Sequence, residues 1–400
     1  MKVRENLKCL TCDHVTTVRV SVGHNPIQRH DFACSSCEEP IGLIMHVDYH
    51  NFATELEFCE NSELAFEEGN VVNLDPHFLI PEPDLNMDRN FSWMDEAQYI
   101  MANNPQAAIL PNPGKNGKIT DVYEQLGGLP GTTKYWSSLK KSWSLHSKNK
   151  TALARKVIKK YDPRGFDNKG SIYKALEDFF YRITLPKGYH LTECGYQAIK
   201  RAKLTDSKEF SKFLCFYNHE LRKENMRGYF DIFSDFFEHY SEYDQTLLYA
   251  KNLASVRDGC VASSYGFERT KMFYGNAYEV YTSNIIVLAC LNNIIKGRHF
   301  DEFEEMNLEK YRTINKANRG RPFKDDELLS QFLECTDSTL RNASHHQSMR
   351  IIDKGKNIQY QSGGTGQIRT ISYSKYLEKC CKIMLAMSSL FLLESKIREG

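Results

Sequence analysis

Leu340-Arg341-Asn342-Ala343-Ser344-His345-His346, near the C-terminus, is the stretch on which the reading of the chain turns. It closes a segment, residues 325–341, that reads as a helix. It sets a guanidinium, an amide and an imidazole within about two helical turns. An arginine fork can hold phosphate oxygens and their growing charge, and a neutral imidazole can take a proton from a 2′-hydroxyl. The set therefore suits chemistry on a phosphodiester. Cations are also favoured at a helix C-terminus for electrostatic reasons alone, so the same residues fit a capped helix end.

Working outward, four segments carry apolar residues at three- and four-residue spacing: 229–254, 269–296, 325–341 and 373–398. Four long helices satisfy the count of an up-and-down bundle. Arg341, Asn342 and His346 match the arginine–histidine motif, often with a polar residue after the arginine, that HEPN superfamily proteins carry late in the third helix of a four-helix bundle. Residues 229–400 resemble that superfamily. The resemblance implies a metal-independent endoribonuclease, of the kind that serves as a toxin or phage-defence effector. Arg341 would take the phosphate charge, Asn342 would orient the phosphate or His346, and His346 would act as base, with His345 in reserve. A homodimer with two motifs facing one cleft is also implied. Two alternatives stay open. One is a non-catalytic nucleic-acid-binding or regulatory protein whose bundle dimerises or binds a partner. The other is a non-catalytic partner protein, for example of a nucleotidyltransferase.

Cys9-Leu10-Thr11-Cys12 and Cys34-Ser35-Ser36-Cys37 form two CxxC pairs with 21 residues between them. Four thiolates at this spacing suit a tetrahedral zinc site. The β-branched, alternating residues 15–22 predict a strand between two knuckles, so residues 1–50 resemble a zinc ribbon. A closed thiolate set has no open coordination position, which makes one structural Zn2+ per chain the expected role of Cys9, Cys12, Cys34 and Cys37. Redox-active or coincidental pairs are the competing reading. His14, His24 and His30 lie nearby but find no vacancy among four thiolates.

The chain has 400 residues, 41% of them hydrophobic, which is enough for two or three domains. Its net charge of +1, from 52 basic and 51 acidic side chains, generates no global field toward nucleic acid or membrane. The first residues lack an apolar signal core, and the longest apolar run, 285–291, is far below a membrane span. A cytoplasmic protein with reduced or metal-bound thiols and no membrane partner is expected.

Charge is nonetheless segregated. Residues 48–96 hold thirteen Asp or Glu against the single base Arg89, with Pro81-Glu82-Pro83-Asp84 reading as extended linker. Residues 125–161 hold no carboxylate and nine Lys or Arg, interleaved with Tyr135, Trp136 and Trp143. Cations beside aromatic rings suit phosphates and stacked bases. An amphipathic helix whose tryptophans are core shows the same pattern. The candidate RNA-binding residues are Lys140, Lys141, Lys148, Lys150, Arg155, Lys156 and Arg369, with Lys354 and Lys356 near the motif. Residues 171–183 and 206–226 predict further helices, and 358–371 predicts a β-hairpin around Gly363, Gly364 and Gly366, whose glycines suit turn geometry. The expected architecture is mainly α: a β zinc ribbon (1–50), an acidic linker (51–110), a helical middle region with the basic stretch (111–227) and a HEPN-like four-helix bundle with a β-hairpin insertion (228–400).

Overall fold

The two periodicities of the sequence are both realised in the computed structural model, which describes residues 2–88, 91–104, 122–161, 170–263, 266–346, 348–353, 355–362 and 366–398. About half of the chain is helical, with several small sheets. Two compact units form, each from three separate stretches. The first comprises Met1–Gly131, His239–Met272 and Ala343–Cys381; the second comprises Thr132–Glu238, Phe273–Asn342 and Lys382–Gly400. Among the described residues no helix is long and apolar enough to cross a membrane.

In the first unit, Lys2–Cys9 pairs antiparallel with Val15–Ser21, Leu7 lying opposite Thr16. Ser62–Leu64 and Asn70–Leu74 complete a four-stranded sheet, the latter running parallel to Val15–Ser21. A second sheet joins Ile27–Ala33, Pro40–Asp48 and Ala53–Glu60. Side chains from both sheets, among them Leu7, Val18, Val20, Leu43, Met45 and Leu74, share one apolar core. The acidic segment is thus not the linker expected over 51–110. In Ala53–Glu60 the carboxylates of Glu55 and Glu57 are exposed, while Leu56 and Phe58 pack on the core. Alternating acids mark one face of a half-buried strand.

The Pro81-Glu82-Pro83-Asp84 linker is corrected too. Ile80–Pro81 pairs with Cys260–Val261, and Glu82–Leu85 forms one helical turn with a proline in its opening positions, where a missing N–H costs nothing. The predicted hairpin is present as Asn357–Gln361 against Ile368–Ser372, extended by Met349–Ile352 to three strands. Lys354, Gly363 and Gly364 lie outside the described residues.

The second unit is helical. Ser171 caps Ile172–Thr184 by accepting the N–H of Lys174, and Asp206 caps Ser207–Phe216 by accepting those of Lys208 and Glu209. A π-turn, Tyr217–Leu221, leads into Arg222–Glu238. Helix Lys187–Thr205, which the sequence reading did not single out, packs close to the C-terminal helix: a Cβ on Gly195 would stand 2.3 Å from Leu393.

The four long segments are not four continuous helices. Residues 229–254 divide into Arg222–Glu238 and Tyr240–Lys251, and 269–296 into Phe267–Thr270, Phe273–Asn284 and Ile286–Ile295. Residues 325–341 are not one helix. The 3-10 turn Ser330–Leu333 is followed by the short helix Ser338–His345. Asp326 accepts the N–H groups of Leu328 and Leu329, and Asp337 those of Thr339 and Leu340. Each aspartate caps a new turn instead of letting one helix run on. Only the last segment, Tyr373–Arg398, is a single helix as expected.

Candidate functional site

Cys9 ends the strand Lys2–Cys9, and Cys12 lies in the turn before Val15–Ser21. Cys34 follows Ile27–Ala33, and Cys37 precedes Pro40–Asp48. The two turns repeat one construction. Asp13 N–H donates to Cys9 carbonyl at 2.9 Å and Cys9 N–H to His14 carbonyl at 2.9 Å; Glu38 N–H donates to Cys34 at 3.0 Å and Cys34 N–H to Glu39 at 2.9 Å. Asp13 and Glu38 both take positive φ, 59° and 69°, which lets the chain reverse within so few residues. All four sulfurs lie within 4.8 Å of one another, with Cys9–Cys37 and Cys12–Cys34 each at 3.6 Å. Four thiolates around one zinc at about 2.3 Å stand about 3.8 Å apart, so the cluster fits a tetrahedral ion.

Backbone and side-chain donors reach these sulfurs. The N–H of His14 draws the Cys12 thiol down to about 7, whereas burial raises that of Cys34. Asn61 donates to Cys9 Sγ at 3.5 Å. Among the described residues no histidine joins the cluster: His14 Nε2 faces Ser35 Oγ at 2.9 Å, and His30 is fully buried with neither ring nitrogen partnered.

The helix Ser338–His345 carries Arg341, Asn342 and His345, while His346 is the first residue beyond it and is exposed. Leu340 and Ala343 anchor it, both fully buried. Arg341 donates through Nε and Nη2 to Glu279, on Phe273–Asn284, and through Nη1 to Asn342 Oδ1 at 2.7 Å. Glu279 also takes Lys316 Nζ at 2.6 Å. Burial works to raise the Glu279 carboxyl, but the hydrogen bonds from Lys316 and Arg341 outweigh it and hold it below the ordinary range. Three of the five guanidinium N–H groups are thereby committed, and the half-buried head keeps two for a further oxygen. His345 follows Arg341 by four residues, the spacing of one helix face, and its Nε2 is buried without a partner; His346 falls off that face. Glu279 and Lys316 were invisible to the sequence reading, since no motif links residues 62 and 37 positions apart.

The basic stretch forms Thr132–Ser147 and Thr151–Ile158. Trp136 is 4% exposed amid Phe179, Phe180, Phe230, Phe233 and Phe237, and Trp143 stacks on Phe230 at 4.7 Å. Trp136 is thus core, the second of the two readings of the pattern, while Trp143 is half-buried against the same cluster. Lys140, Lys141, Lys148, Lys150, Arg155 and Lys156 are all exposed, and among the described residues none of them is in an ion pair. Arg369 is exposed on Ile368–Ser372 of the first unit, whereas Lys356 pairs with Glu82. Comparison with protein-family models, with curated proteins and with solved structures finds no match to this chain.

Proposed function

We propose that the protein is a metal-independent endoribonuclease that grips RNA through phosphate contacts on its cationic helices and cleaves it with the Ser338–His345 helix. The observation that carries the reading is the half-exposed Arg341, oriented by Glu279 and Asn342, with histidines at the end of the same short helix. The 2′-hydroxyl is RNA's own nucleophile, so the chemistry needs a proton acceptor and a charge clamp. Arg341 takes the phosphate charge through its two remaining N–H groups, Asn342 fixes the guanidinium, and His346, or His345 on the face of Arg341, accepts the proton. The six exposed cations bind the backbone without reading sequence.

A HEPN-type bundle, a homodimeric composite site and a cytoplasmic location belong to the same proposal. Support for the bundle is the order of Arg222–Glu238, Phe273–Asn284, Ser338–His345 and Tyr373–Arg398 along the chain, with the motif on the third. Cys9, Cys12, Cys34 and Cys37 hold one zinc, which cross-links two turns and takes no part in cleavage.

A second reading is a non-catalytic nucleic-acid-binding zinc-ribbon protein, favoured by the commitment of three Arg341 N–H groups within the fold. The experiment that separates them incubates RNA with wild type, Arg341→Ala, His345→Ala and His346→Ala in EDTA, with zinc content checked. Cleavage leaving 2′,3′-cyclic phosphate ends, reduced by about two to four orders of magnitude in Arg341→Ala and in one histidine variant, is expected. Binding without cleavage by wild type, or full activity in Arg341→Ala, overturns the catalytic reading.

A further inference from the structure

The first unit contains a cavity of about 360 Å³ that the reading above does not use, a size within the range of small-ligand sites. Part of its wall is aromatic. Trp93 stacks on Phe78 at 4.9 Å and 15°, and Phe91, a residue 59% exposed, meets Trp93 edge-on.

Three further rings, His24, His77 and Tyr123, lie 3.9 to 5.2 Å apart, centroid to centroid, with tilts of 25° to 33°. Their arrangement is fixed from behind. Asp244, 3% exposed, accepts from His77 Nδ1 at 2.7 Å and from the Tyr123 hydroxyl at 2.8 Å. The backbone N–H of His24 donates to His77 Nε2 at 3.1 Å. Nδ1 bonded to Asp244 and Nε2 accepting from His24 leave the His77 ring no freedom to turn. Polar groups complete the wall. Asp75 is held by the N–H groups of His77 and Phe78, both at 2.9 Å, with the Ser21 hydroxyl beside it. Lys2 lies near both Asp75 and Arg19 and donates to Asn73 at 3.3 Å.

Planar rings held in place, a carboxylate beside a hydroxyl, and a cation form the combination that stacks a heteroaromatic ring, reads its N–H edge and neutralises a phosphate. We propose that this cavity binds a nucleobase, stacked on the aromatic wall with its amino edge toward Asp75 and Ser21 and its phosphate toward Lys2. The base belongs either to a free nucleotide or to a single RNA strand. The inference does not depend on cleavage by the Arg341 helix.

The test titrates the full chain calorimetrically with AMP, GMP, CMP and UMP, and separately with a short single-stranded RNA. Saturable binding of a mononucleotide identifies a free nucleotide as the source, and binding of the strand alone identifies an RNA base. In either arm Phe91→Ala and Asp75→Asn each weaken affinity, Phe91→Ala by roughly five- to 150-fold, the range for removing one stacking ring. Phe91 is exposed, so its truncation keeps the fold, which a melting curve checks. The paired change Lys140→Glu and Lys141→Glu reports how much of strand binding rests on the cationic helices of the second unit. Absence of saturable binding for both probes up to roughly millimolar concentration overturns the inference. So does strand binding that the lysine changes abolish and Phe91→Ala leaves untouched, a result that keeps the cationic face and removes the pocket.

Discussion

The four-cysteine turns and the Arg341 helix are both candidate sites announced by short motifs, yet they are built in opposite ways. Each cysteine turn is closed by its own backbone hydrogen bonds and its own positive-φ residue, so each CxxC pair is shaped by a segment a few residues long. Arg341 is placed by Glu279, 62 residues earlier in the chain, and Glu279 is shared with Lys316. A motif whose geometry is local carries its own verification in its spacing. One whose geometry depends on distant partners does not, and its residues can be occupied by the fold itself.

The largest expected effect tests the local side of this contrast. Replacing Cys34 and Cys37 together by serine removes half of a thiolate set, and structural zinc contributes roughly 10 kcal/mol of folding free energy in small modules. Loss of one zinc per chain by metal analysis is expected, together with loss of hydrogen-exchange protection in the strands that share the core of Leu7, Val18 and Met45. Stoichiometric zinc in the double variant would show that the turns do not form the site.

An intermediate effect comes from a site that only distant packing creates. Glu394, fully buried, accepts from Tyr229 at 2.6 Å, Tyr217 at 3.0 Å and Asn225 at 3.1 Å, with no cation among these partners. Burial pushes its carboxyl up to about 7 from 4.5, against the pull of those donors. The folded chain therefore holds a proton that the unfolded chain releases first. Stability is full below the unfolded value and falls as pH rises through the window from 4.5 to about 7, by at most about 3 kcal/mol. Denaturant titrations at pH values spanning that window should show the decline in wild type and a flatter profile in Glu394→Gln. Equal slopes in both proteins would assign the pH dependence elsewhere.

The smallest effect sharpens the other side. A double-mutant cycle on Arg341→Ala and Glu279→Gln measures the coupling of a pair whose side chains are 31% and 26% exposed. Solvent screening limits such a pair to about 1 kcal/mol or less of stability. A larger coupling, with RNA turnover unaffected by either change, would make Arg341 a structural residue.

How much was legible follows the same division. CxxC spacing and period-two alternation located the cysteine turns, and three- and four-residue spacing located most helical segments. The basic stretch was legible as helix, but whether Trp136 and Trp143 faced phosphate or core was not: amphipathic spacing is identical in both cases, and Phe179, Phe230 and Phe233, which cover Trp136, come from other helices. Acidic composition concealed the strand Ala53–Glu60, because a count of carboxylates discards their alternation.

By itself, then, the sequence determined what depends on neighbours along the chain: the two cysteine turns, the hairpin strands around 358–371, and the single long helix Tyr373–Arg398. Tertiary structure alone decided where 325–341 breaks into capped turns, that Arg341 meets Glu279, that Glu394 is enclosed by Tyr217, Asn225 and Tyr229, and that rings from three separate stretches line one cavity. The physical reason is that hydrogen-bonded turns and periodic faces are fixed by backbone geometry over a few residues. Ion pairs, buried carboxylates and ring stacks form only when packing brings together groups that no spacing relates.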